Sequence, residues 1–381
     1  MTQTLIQRDQ RLDALRGFLL VVMLTSHIGT PLSHLTASPF GFATSAEGFI
    51  LLSGFVAALV YGKRFLSDGY LEMRRRVWRR SGQVYLCHVG LLLGGVLAVG
   101  LLGPSDDGPV NMIFDAWHSE AASAALLSSL LLLFQPALFD ILPIYVIGLL
   151  LTPLILSVAH ERGWWPILTA SALFWLAAQF GIKHEFEQSA RTFGPVVLGS
   201  FDIFAWQLLW IGGLCLGWLY LERKRSGRPW RIAPPALWIA VVVAIFFFGL
   251  NHGLRHGFLS IPGLTETGAM LNWDGPLLTK WTLGPLRLLN IACLIALLIA
   301  FAPQSLPRFI GTPLALLGRY SLPTFCFHIP LALVGKEILY VYKPDALTAS
   351  AIGLAAIALL FLPAWFAERR TREALRISGA L

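Results

Sequence analysis

Apolar runs recur from one end of the chain to the other, separated by short polar loops, and each run is close to the length a membrane helix needs. A hydrocarbon core of about 30 Å takes about 20 mostly apolar residues per helix. That ruler predicts spans near 16–35, 43–61, 82–102, 141–159, 164–181, 203–221, 233–250, 285–302, 311–334 and 348–366, about ten in all. The expected fold is an all-α polytopic membrane protein: a bundle of about ten transmembrane helices forming one integral domain over 1–381, because no long polar stretch divides the runs. One more segment, ASAALLSSLLLLFQPALF at 122–139, is uncharged and nearly long enough to cross. If it crossed, every later loop would change sides, so it is predicted to be an extra interfacial or re-entrant helix.

Charge orients the bundle, because Lys and Arg in short loops are held on the cytoplasmic side. Lys63, Arg64, Arg74, Arg75, Arg76, Arg79 and Arg80 mark the loop 62–81 as inside, and Arg223, Lys224, Arg225, Arg228 and Arg231 mark 222–232 the same way. The segment 103–121 carries Asp106, Asp107, Asp115 and Glu120 with no Lys or Arg, as an outer loop should. A basic tail from Glu368 then puts both termini in the cytoplasm. The N-terminal residues lack the order of a cleaved signal peptide, so the first helix is expected to persist.

Composition agrees with this class. Charged residues are 13% of the chain and mean hydropathy is +0.68, against about 25% charged in a soluble domain. A sensor or scaffold would need a soluble output domain, which the loops do not offer. Cys87, Cys215, Cys293 and Cys326 each stand alone in an apolar run, so neither a disulfide framework nor a metal site is expected. No internal repeat relates the two halves, which counts against a symmetric transporter. A proton-coupled transporter or flippase of an anionic or carbohydrate substrate nevertheless stays open as the alternative to an enzyme.

Ionisable residues at membrane depth carry the functional signal, since each is costly there. His27 lies eleven residues beyond Arg16 in RLDALRGFLLVVMLTSH, about 16 Å along a helix and so near the midplane. In ATSAEGFILLSGF the next, antiparallel helix offers Glu47 in its first turns at a similar depth. A carboxylate beside an imidazole would set its tautomer and keep it basic, as a general base requires; the plainer reading is a helix-bridging hydrogen bond. The run MRRRVWRRSGQVY presents Arg74, Arg75, Arg76, Arg79 and Arg80. Guanidinium forks suit the phosphates of an anionic donor such as a coenzyme A thioester, although topology and anionic lipids also produce such clusters.

In LGRYSLPTFCFHIPL, Arg319 sits near the inner end of the ninth predicted span and His328 about 13 Å deeper. Pro323 and Pro330 should open the helical ladder there. Lys280 and Arg287, flanking TLGP on the outer side, would suit an anionic acyl carboxylate or a glycan, and Trp206 and Gln207 a sugar; interfacial anchoring and packing are the plainer roles.

Taken together, RLDALRG with a histidine eleven residues after its second arginine, GFILLSGF in the next helix and LGRYSLPTFCFHIPL near the C-terminus resemble the membrane acyltransferase-3 superfamily. RLDALRGFLLVVMLTSH, PFGFATSAEGFILLSGFVAALVYGKR, FDILPIYVIGLLLTP, FDIFAWQLLWIGG and KWTLGPLRLLN look more closely like the OpgC family, named for a succinyltransferase of periplasmic glucans. The resemblance, spread over 11–331, implies transfer of an acyl group, typically succinyl from succinyl-CoA, onto hydroxyls of an osmoregulated periplasmic glucan at the bacterial inner membrane. Acyl-CoA would be a co-substrate on the cytoplasmic side and no cofactor would be tightly bound; the glucan would arrive from the periplasm. Membrane lipids would be the other partners, and nucleic acid none.

By this resemblance the superfamily's first-helix histidine falls on His27, its arginine on Arg16 and its basic segment on Arg74 to Arg80. The carboxylate of the AEGF block falls on Glu47 and the late histidine on His328. AEGF stands where many superfamily members carry an aspartate. The implied mechanism has His27 as base, oriented by Glu47.

Overall fold

The structure is a computed structural model of the chain, and it describes residues 9–105, 107–117, 122–228, 230, 232–266, 269–272, 274–301 and 307–377. Asp106, Glu120 and Arg231 of the charge pattern lie outside the described residues. Those described form helices and loops, with one isolated bridge between Phe134 and Val197.

The helices begin with α1 (Gln10–Ile28) and the single turn α2 (Ser33–Thr36). α3 (Ser45–Ala57) passes through a π-helical turn at Ala58–Gly62 into α4 (Lys63–Asp68), and α5 (Tyr70–Leu102) follows. Next come the short α6 (Pro109–Phe114) and α7 (Ala122–Leu130), then α8 (Ile141–Arg162), α9 (Trp165–Gln179), α10 (Ile182–Ala190) and α11 (Ile203–Arg225). The chain continues with α12 (Pro234–Arg255), α13 (Pro285–Phe301), α14 (Arg308–Arg319), α15 (Ser321–Tyr342), α16 (Ala346–Leu359) and α17 (Phe361–Ile377).

Among the described residues, seven helical runs are long and apolar enough to cross a membrane, or eight if the bent pair α9 and α10 is one span. The count of about ten is approximate, for specific reasons. The predicted span 16–35 instead becomes α1, which starts earlier, takes in Arg11, Asp13 and Arg16, and stops where Gly29 turns left-handed (φ 82°) before Pro31. The predicted span 311–334 breaks at Tyr320 into α14 and α15. α13 has 17 residues, and α9 and α10 meet at 76°. In 122–139 the helix α7 has nine residues and ends at Leu130, Leu132 turns left-handed (φ 61°), and the Gln135 N–H bonds to the Val197 carbonyl, so no described helix there is long enough to cross.

The chain divides into two compact units. The first comprises Met1–Ala37, Pro104–Val110 and Pro303–Leu381. There α1 packs against α14, α15 and α16. Helix association in lipid depends on close backbone approach rather than on hydrophobic exclusion, and small residues provide it. A β-carbon at Gly318 would lie 1.7 Å from the Asp13 carbonyl oxygen, and one at Gly17 would lie 2.0 Å from that of Leu314. Near the other end of α1, Gly335 receives the Ile28 side chain and Gly353 faces Thr30. In α15, Pro323 falls in the first turn, where its missing N–H costs nothing, while Pro330 lies in the helix interior.

The second unit comprises Ser38–Gly103 and Asn111–Ala302. α3 and α11 cross on Gly54, Gly213 and Gly217, each of which faces a carbonyl oxygen of the other helix. α5 lies against α8, and Met73, Val77, Ser81, Val84, His88 and Leu92 form its buried stripe at helical spacing. Ser81 Oγ donates to the Val146 carbonyl at 3.0 Å within that contact. α12 and α13 close over Phe42, Phe247, Leu250 and Leu278. Asp202 caps α11, its carboxylate accepting from the Phe204 and Ala205 N–H groups.

Candidate active site

In the first unit, His27 occupies the last turn of α1, one residue before Ile28 ends the helix, rather than the middle of a span. Its half-buried ring meets the fully buried ring of His328 on α15: Nδ1 of His27 and Nε2 of His328 are 2.8 Å apart, the centroids 5.0 Å, the planes tilted by 32°. Nδ1 of His328 donates in turn to the Phe325 carbonyl at 3.0 Å.

Arg16 lies about three turns before His27 on α1. It is buried, and its Nε has no hydrogen-bond partner among the described residues. Arg319, at the end of α14, pairs with Glu368 of α17 at 3.3 Å. Glu368 also accepts from the Tyr320 hydroxyl at 3.0 Å and from Arg372 at 2.9 Å. The Arg319 guanidinium therefore ties α14 to α17.

Glu47 belongs to the second unit and has different partners from those expected. It is the third residue of α3, and its carboxylate accepts from the Thr44 N–H at 3.0 Å and from the Thr44 hydroxyl, closing a capping box. Its other oxygen receives Nη1 of Arg287 at 2.8 Å. Both side chains are buried, and Arg287 also donates to the carbonyls of Leu278 and Phe42. One turn further along α13, Asn290 accepts from the Phe42 and Ala43 N–H groups. These two residues of α13 grip the backbone that leads into α3, and a β-carbon at Gly41 would strike Asn290.

Both oxygens of Glu47 are engaged within its own unit, by Thr44 and Arg287. One expectation is corrected here. Arg287 is not an accessible anion receptor, because three acceptors surround it in the interior.

The other predicted residues sort by exposure. Arg75, Arg76 and Arg79 are exposed on α5, Arg74 lies over the Trp78 ring at 4.9 Å, Arg76 pairs with Glu72 at 2.7 Å, and Arg80 reaches Gln83. Lys280 lies over the rings of Phe201 and Trp281 at 5.1 and 5.8 Å. Burial pushes its ammonium below the ordinary lysine value, against the pull of the Glu47 and Asp140 carboxylates. Trp206 is fully buried, its indole N–H on the Lys280 and Trp281 carbonyls, so it offers no open face to a sugar. Gln207 bonds Ser171 through both ends of its amide and joins α11 to α9. These two are packing residues, which corrects their reading as sugar ligands.

Three residues were missed. Thr44 and Asn290 left only the faint signal of a polar residue beside an apolar run. His88 of α5 is wholly buried, close to Phe139, with neither ring nitrogen hydrogen-bonded among the described residues. It stands out in the sequence only as a lone histidine in the run 82–102.

The chain matches a family model described as OpgC protein over residues 8–372, nearly its whole length. No curated protein matches it, and no solved structure does.

Proposed function

The chain belongs to the OpgC family, and from that premise we propose that it is an integral membrane O-acyltransferase of glucan modification. The donor is an acyl-CoA, with succinyl-CoA the leading choice, and the acceptor is a hydroxyl of a periplasmic glucan. The transporter reading finds no specific support.

The reading rests on one observation: in a chain of this family, an imidazole on the first helix is hydrogen-bonded to a second imidazole on α15. His27 acts as the general base, a role suited to an imidazole that can take up and release a proton and is held in a fixed orientation. It takes the proton from the glucan hydroxyl, and the oxygen attacks the thioester carbonyl carbon. The new C–O bond forms, the C–S bond breaks, and the proton passes to the departing coenzyme A sulfur.

On the cytoplasmic side the exposed guanidiniums of Arg75 and Arg79 receive donor phosphates. Arg16 is a buried guanidinium whose Nε lacks a partner among the described residues, which suits it to an anionic group of the donor. Mass spectrometry of periplasmic glucans tests the proposal. Cells carrying the gene should add a fixed acyl mass to the glucans, and cells with His27→Ala expressed at equal level should not. Unchanged acylation by the variant would end the reading of His27 as base.

A further inference from the structure

We infer that His328 is a positioning residue that holds His27 in the tautomer protonated at Nδ1, making Nε2 of His27 the atom that accepts the substrate proton. This deepens, and rests on, the reading of His27 as general base.

The order of donors follows from the partners. A carbonyl oxygen only accepts, so the 3.0 Å contact with Phe325 requires a proton on Nδ1 of His328. With that ring neutral, Nε2 carries the lone pair, and the 2.8 Å contact requires a proton on Nδ1 of His27. The remaining nitrogen of His27, Nε2, is then the basic one.

A doubly protonated His328 would reverse the second bond. It would, however, place a cation at a fully buried position whose two ring nitrogens face a carbonyl and another imidazole, with no carboxylate among the described residues bonded to it. An uncompensated buried charge of that kind is strongly disfavoured. The neutral chain, from His27 through His328 to the Phe325 carbonyl, is the one the surroundings favour.

Its chemical consequence is the role an orienting carboxylate plays beside a catalytic histidine, here filled by a neutral ring. When Nε2 of His27 takes the hydroxyl proton, the imidazolium keeps its Nδ1–H on Nε2 of His328, a bond that strengthens as charge develops. The proton moves on from Nε2 to the leaving sulfur. No proton crosses His328, so it is not itself a base.

Nitrogen-15 NMR of the full-length protein labelled in histidine, in detergent micelles, reads the tautomers directly. His328, assigned by its loss in His328→Gln, should show a protonated Nδ1 and a bare Nε2, and His27 the same pattern. A protonated Nε2 on His328 would overturn the inference whatever the enzyme's activity.

Kinetics give the second readout. In His328→Gln the side-chain carbonyl can still accept from Nδ1 of His27, and kcat should stay within about tenfold of wild type. His328→Leu removes the acceptor and should lower kcat about 100-fold, at the lower end of what a base contributes, with the donor KM unchanged. Wild-type kcat in His328→Leu would refute the positioning role; so would equal loss in both variants, which would mark His328 as a proton carrier. Activity retained in His27→Ala alongside the expected NMR pattern would instead overturn the acyl-transfer role of His27 and leave the tautomer assignment standing.

Discussion

Nη1 of Arg287 meets Oε1 of Glu47 at 2.8 Å with both side chains almost wholly buried. Desolvating two charges is expensive, and the pair holds because the remaining valences are also met: Thr44 on the carboxylate, the Leu278 and Phe42 carbonyls on the guanidinium. Removing one partner strands the other. Glu47→Gln and Arg287→Met should each destabilise the protein by about 3–5 kcal/mol, and the double variant by clearly less than their sum. Thermal unfolding of the detergent-solubilised proteins gives the cycle, and additive losses would show that the pair is not coupled.

Neighbouring glycines on α11 provide an internal control for packing. A β-carbon at Gly213 would sit 2.1 Å from the Leu51 carbonyl oxygen, whereas one at Gly212 meets nothing within 4 Å. Gly213→Ala should therefore cost about 2 kcal/mol or more, since backbone has little room to yield. Gly212→Ala should be neutral or stabilise by about 0.5–1 kcal/mol through helix propensity. Equal melting temperatures for the two variants would contradict the close crossing of α3 and α11.

Asp140 carries a pH signature. Burial raises its carboxyl above the ordinary value of 3.8, while its Oδ2 accepts the Ser200 N–H at 3.1 Å. The folded protein thus keeps a proton that the unfolded chain has already lost. The resulting stabilisation is present below 3.8 and is withdrawn as pH rises through the folded value. Asp140→Asn keeps an acceptor and removes the titration. The stability of wild type relative to this variant should fall as pH rises above the ordinary carboxyl value of 3.8, and a flat difference in melting temperature would contradict the raised pKa.

The basic face of α5 yields a kinetic prediction. Arg75 and Arg79 are exposed, whereas Arg76 is paired with Glu72. Arg75→Ala with Arg79→Ala should raise the donor KM about tenfold, or about 1.4 kcal/mol, leave kcat unchanged and blunt the salt dependence of KM. Arg76→Ala should do less. A fall in kcat at constant KM would remove these residues from donor binding.

Much of the candidate site was legible because membrane burial makes ionisable residues conspicuous. His27, His328, Glu47 and Arg287 each stand out in an apolar context, and the structure keeps all four in hydrogen bonds. Their pairing was not legible. Depth along ideal helices favoured Glu47 as the partner of His27, but α1 ends at Ile28 and the late span breaks at Tyr320, which shifts every depth counted from it. Trp206 and Gln207 show the same limit, since an aromatic or an amide looks alike in sequence whether it faces a sugar or another helix.

The sequence by itself determined the class of molecule, the helical character of its apolar runs and the family. These follow from composition, periodicity and ordered short segments, all of which act locally along the chain. Only the tertiary structure decided that His27 is bonded to His328 and Glu47 to Arg287. A hydrogen bond depends on two atoms coming within about 3 Å, and helix ends, proline breaks and glycine crossings set that distance far from the residues concerned.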